Sequence, residues 1–68
     1  MRISLAAARV NAGMTQEEVA KRMKISKNTL VNWEKGMSEP SVTQGRELAM
    51  IYNIPLDNIF LPTESNLI

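Results

Sequence analysis

The sequence predicts an all-α fold, and three observations carry that reading. Apolar residues recur at three- and four-residue spacing, as in Val19, Ala20 and Met23 and again in Leu48, Ala49 and Tyr52. Two hydroxyl residues are each followed three positions later by an acid or amide, Thr15 by Glu18 and Ser41 by Gln44. That is the capping-box pattern, in which each side chain accepts from the backbone N–H of the other residue. Gly13, Gly36 and Asn53 stand where the apolar periods stop, and Gly36, having no Cβ, can close its helix end in a left-handed conformation.

The elements follow in order. Residues 2–12 are rich in alanine, with Leu5, Ala8, Arg9 and Ala12 near one face, and predict a first helix. A second starts at about Gln16 behind the Thr15 cap. Val19, Ala20 and Met23 share one of its faces, while Glu17, Glu18, Lys21 and Arg22 fall elsewhere on its surface. Ile25, isolated between Lys24 and Ser26, suits a turn side chain that plugs an angle between helices, and Ser26 caps a third helix running to about Lys35. A fourth runs from the Ser41 cap to Asn53, with Val42, Leu48, Ala49 and Tyr52 as its apolar stripe. Gly45 inside it costs up to about 1 kcal/mol relative to alanine. Pro55 opens a short fifth helix, with Leu56 and Ile59 facing in. Leu61–Ile68 shows no period and is expected to be loose. The chain thus reads as one domain over residues 1–60 and a flexible tail over 61–68.

Helices two and three, two short helices joined by a tight turn, make a helix-turn-helix. The faces of the third separate by arithmetic. At about 100° per residue, Lys27, Val31, Lys35, Asn28 and Asn32 fill an arc of roughly 140°, with Ser26, Leu30 and Trp33 opposite. One face is core and the other is rich in hydrogen-bonding groups. Lysine donates to the guanine O6/N7 edge, and an asparagine amide both donates and accepts at adenine N6/N7, so such an arc suits a DNA major groove. Trp33, at the buried angle beside Leu30, is read as core rather than as a base-stacking residue. Val31, on the outward arc, suits contact with a thymine methyl or is simply tolerated there.

Composition narrows the alternatives. Sixty-eight residues make one small domain with a thin core. With no cysteine and no histidine there is no disulfide, no zinc site of the usual kind and no histidine base. No cofactor or metal is expected, and neither is an enzyme. The five methionines are read as soft core filling. No apolar run approaches the ~20 residues of a membrane span, and the cytoplasm is the expected compartment. Net charge is only +1, but it is polarised. Residues 1–36 hold seven cations against three carboxylates, a net of +4, and residues 37–68 one cation against four, a net of −3. A basic half carrying the outward arc suits a surface that faces DNA.

The pattern Thr15-Gln16, Ala20, Ile25-Ser26, Leu30, Trp33-Glu34-Lys35-Gly36 and Pro40 resembles the phage repressor and Cro-like helix-turn-helix family, often called the Xre family. The resemblance covers about residues 3–60. It implies a compact five-helix bundle that binds double-stranded DNA. It further implies that Gln16 touches the DNA backbone or a base, that Lys27, Asn28, Thr29 and Asn32 face base edges, and that Lys35 contacts phosphate. Arg9 of the first helix would pair with Glu34. In two places this chain departs from the family: Lys24 stands where glycine is common in the turn, and Glu39 lies in a loop that is often basic.

One reading helix offers too little for the affinity typical of such regulators. A homodimer is therefore expected, formed mainly on DNA, with Ile59, Phe60 and Leu61 as candidate apolar anchors. The rival reading is an antitoxin-like or anti-repressor-like protein-interaction module, supported by the low net charge and opposed by the polar outward arc.

Overall fold

Four serines and threonines start the helices. Ser4, Thr15, Ser26 and Ser41 each hold an extended backbone and accept, through the side chain, the N–H of the residue three further on. Behind these caps the computed structural model, which describes residues 3–55 and the backbone of Ile59–Phe60, places α1 at Leu5–Asn11, α2 at Gln16–Met23, α3 at Lys27–Lys35 and α4 at Val42–Tyr52. Both expected capping boxes are complete, with Glu18 bonded to the Thr15 N–H at 3.0 Å and Gln44 to that of Ser41 at 2.9 Å.

Two expectations about the elements are corrected. The first helix starts at Leu5, because Ile3–Ser4 is extended as β1 and pairs in parallel with β2, Ile59–Phe60, in the register Ile3↔Ile59 and Ser4↔Phe60. The described residues hold four helices rather than five. Leu56, Asp57 and Asn58 lie outside the described residues, as does 61–68, but Ile59 belongs to a strand and not to a fifth helix. The reason is non-local. Asn53 at φ 56° ends α4, and the backbone of Ile59–Phe60 finds its partners in β1, near the other end of the chain.

Leu5, Ala8, Val19, Met23, Leu30, Trp33, Leu48, Ala49 and Tyr52 form one buried cluster drawn from all four helices. Ile25 packs against it from the turn between α2 and α3, as its isolation in sequence suggested. Val42 is instead exposed at the first turn of α4, outside the stripe expected to bury it. The methionines divide: Met23 is buried and Met14 partly so, whereas Met37 and Met50 stand in solvent. Gly45 is half-buried within α4.

Candidate nucleic-acid interface

The turn between α2 and α3 closes on Lys24, whose φ of 59° and ψ of 41° are left-handed. This is the region glycine enters without strain, which explains why glycine is common here and shows that lysine accepts the same geometry. The Ile25 N–H then reaches back to Ala20 O at 3.0 Å, turning the chain so that Ser26 can cap α3.

From that cap α3 presents Leu30 and Trp33 to the core and its other side outward. Lys27, Asn28 and Lys35 are exposed, and Val31 and Asn32 are half-exposed beside them. Thr29 is also half-exposed, and its hydroxyl shares a 2.9 Å hydrogen bond with Ser26 Oγ. Lys27 Nζ lies 3.5 Å from Glu17 Oε1 on α2, and both side chains are well exposed, so water weakens this ion pair and leaves Lys27 exchangeable. Among the described residues Lys35 makes no ion pair.

Behind the arc sits a part-buried cluster. Arg9 Nε donates to Glu34 Oε2 at 2.8 Å, with side-chain exposures of 16% and 6%. Arg9 Nη2 reaches Glu34 Oε1 at 3.5 Å, and Nη1 donates to the Met14 carbonyl at 2.9 Å. Arg9 and Glu34, 25 residues apart, therefore join α1 to the end of α3. The cluster has a member that local sequence reasoning missed: Gln16 Nε2 donates to Glu34 Oε1 at 2.9 Å. No sequence signal links positions 16 and 34, since α2 and α3 must cross before the two side chains can meet. Close by, the Tyr52 hydroxyl is buried without a hydrogen-bond partner among the described residues. Burial pushes its pKa up to about 12, reinforced by Glu34 and opposed by Arg9. On the outer side of α2, the backbone N–H of Thr15 and then its hydroxyl hold the Glu18 carboxyl below its ordinary pKa.

Arg9, Met14, Thr15, Gln16, Glu17 and Lys27 line an open groove of about 300 Å³ where the starts of α2 and α3 meet. Seven of the side chains expected to matter thus fall into two groups. Gln16 and Lys27 share this groove with Arg9, and Glu34 is bonded to Gln16. Asn28, Asn32 and Lys35 lie along α3. Leu61 is outside the described residues, and the backbones of Ile59 and Phe60 pair with β1.

The residue pattern of the helix-turn-helix family matches residues 5–59, most of the chain. The chain belongs to the helix-turn-helix family, in its phage-repressor-like (Xre) branch. This is a family of DNA-binding transcriptional regulators, not of enzymes. An uncharacterised HTH-type transcriptional regulator of Archaeoglobus fulgidus is 36% identical over 67 residues, covering 98% of this chain and 94% of that protein. The cryptic phage CTXphi transcriptional repressor RstR of Vibrio cholerae is 34% identical over 59 residues, which span 87% of this chain and 53% of RstR. The HTH-type transcriptional regulator ImmR of Bacillus subtilis is 36% identical over 50 residues, 74% of this chain and 39% of ImmR. No solved structure gives a significant match.

Proposed function

We propose that this helix-turn-helix protein binds double-stranded DNA sequence-specifically, with α3 in the major groove, and acts in the cytoplasm as a repressor-like transcriptional regulator. The observation that carries the proposal is the division of α3, with Leu30 and Trp33 buried in the core while Lys27, Asn28 and Lys35 stand in solvent. A helix of this diameter fits a groove about 12 Å wide, and such helices use their N-terminal residues on base edges. Asn28 and Asn32 read adenine as bidentate amides and Lys27 reads guanine, exchanging Glu17 for the base. Thr29 lends its hydroxyl to a base or the adjoining sugar-phosphate. Gln16 contacts DNA from the start of α2, and Lys35 neutralises a phosphate. The similarity to RstR, itself named a transcriptional repressor, supports the repressor-like role.

Two copies bind a near-palindromic site through a two-fold axis. The pairing surface lies after Gly36, with Ile59, Phe60 and Leu61 as anchors; the exposed Met50 of α4, beside an apolar hollow of about 590 Å³, supports an apolar surface in that half of the chain.

The test is selection of bound duplexes from a random pool. Enrichment of one related set of sequences with two-fold symmetry is the expected outcome. Salt-sensitive binding with no enriched sequence would reduce the protein to a non-specific DNA binder. No binding would favour the protein-interaction reading.

A further inference from the structure

Glu34 serves two partners with one carboxylate. Oε2 accepts from Arg9 Nε at 2.8 Å, and Oε1 accepts from Gln16 Nε2 at 2.9 Å. An ionised carboxylate accepts and does not donate, so Gln16 can meet Glu34 only through its amino group. That contact fixes the polarity of the amide. The amino group is drawn inward, and the amide oxygen with the second amino hydrogen is left for a partner outside the chain. Among the described residues nothing donates to Gln16 Oε1, although Gln16 lines the groove that it shares with Lys27.

We infer that Glu34 is a positioning residue for DNA recognition, acting through Gln16: with Arg9 it holds the Gln16 amide in one of its two orientations before DNA arrives. The inference rests on the DNA-binding reading above. Its physical content is pre-organisation. Arg9 is anchored to the Met14 carbonyl as well as to Glu34, and the Glu34 side chain is only 6% exposed, so the acceptor offered to Gln16 has little room to move. A glutamine side chain otherwise loses rotamer freedom when it binds, and that cost is met during folding instead. The orientation also decides what DNA meets. With oxygen and one N–H outward, Gln16 offers an acceptor and a donor, the pair that matches adenine N6 and N7 or a mixed base and backbone contact. Turned over, it would present its amino group outward, with two N–H donors in place of the oxygen. A neutral Gln at position 34 can itself donate, and so would permit that reversal.

The test is a double-mutant cycle on DNA affinity. Wild type, Gln16→Met, Glu34→Gln and the double variant are titrated against a duplex selected by the wild-type chain, at a temperature where circular dichroism shows all four folded. Gln16→Met is expected to weaken binding about three- to tenfold. Glu34→Gln should weaken it by a similar factor when Gln16 is present and by less than about twofold when position 16 is Met. Melting temperature should fall with Glu34→Gln in both backgrounds, because the loss of Arg9's partner does not depend on Gln16. A purely structural role would move the melting temperature alone, or would weaken binding equally in both backgrounds, and either result overturns the inference. If Glu34→Gln does not fold, Glu34→Asp replaces it in the same cycle, keeping a charge for Arg9 while being one methylene too short to serve both partners. If the wild-type chain selects no duplex, the DNA-binding reading falls and takes this inference with it. Selective binding with multiplicative factors sinks the inference alone.

Discussion

Tyr52 carries a buried hydroxyl to which the described structure gives no partner. Such a group forfeits its bonds to water, so its removal should cost nothing or help. Tyr52→Phe is expected to leave stability unchanged or to raise it by up to about 1 kcal/mol in denaturant titrations. A loss of more than about 1 kcal/mol would mean that a bridging water or a residue outside those described satisfies the hydroxyl. The pH dependence has a definite sign. Because the folded pKa is raised to about 12 from 10.0, stability from keeping this phenol neutral is fully present below the unfolded value and is lost as pH rises through the folded one. The ultraviolet absorbance of the single tyrosine should therefore titrate late and together with unfolding. An ordinary titration in the folded protein would contradict the burial argument. At this scale Arg9 and Glu34 were legible from their places in a familiar pattern. Gln16 as their third member was not, because a hydrogen bond across 18 residues depends on how two helices cross.

Three helices end in the same way with three different residues. Lys24, Gly36 and Asn53 all adopt left-handed backbone, and the N–H of the following residue bonds back to Ala20, Asn32 and Ala49 respectively. Ile25 and Ile54, the residues after Lys24 and Asn53, both pack on the core, as the apolar contact of this closure requires. Glycine adopts the conformation freely and asparagine tolerates it, whereas lysine carries a Cβ penalty. Lys24→Gly is therefore expected to stabilise the protein by about 0.5–1 kcal/mol, the relief of strain being partly offset by the greater freedom of glycine in the unfolded chain. A thermal melt checks this, and a lower melting temperature would show that the lysine side chain contributes more than its backbone costs. The helix starts and stops were readable because caps and closures are local chemistry. The β1–β2 pairing was not, since residues 3–4 and 59–60 meet only after the bundle forms. A proline followed by apolar residues looks the same locally whether it opens a helix or leads into a short strand.

Across the whole molecule the basic half, residues 1–36, carries the outward arc and the groove, while the acidic half supplies α4 and the strand that pairs back to β1. A single copy presents one α3, the helix proposed to read DNA. Two copies on one duplex should place their reading helices about 34 Å apart, one turn of DNA. Sedimentation of the free chain and of the chain on its selected duplex should give two copies per site, with pairing tighter on DNA than off it because the duplex raises their effective concentration. One copy per full-affinity site, unchanged by Phe60→Glu, would contradict the dimer.

The central claim is that the outward face of α3 reads bases, and base preference tests it more directly than affinity does. Asn28→Ala, Asn32→Ala and Lys27→Ala should each be compared with wild type on the selected duplex and on its single-base-pair variants. Each asparagine variant is expected to lose about 1–3 kcal/mol of discrimination at one position in the site while melting like the wild type, and Lys27→Ala to do the same with some loss of general affinity. If all three variants keep the wild-type affinity and the wild-type order of preference among the duplexes, α3 does not read the DNA.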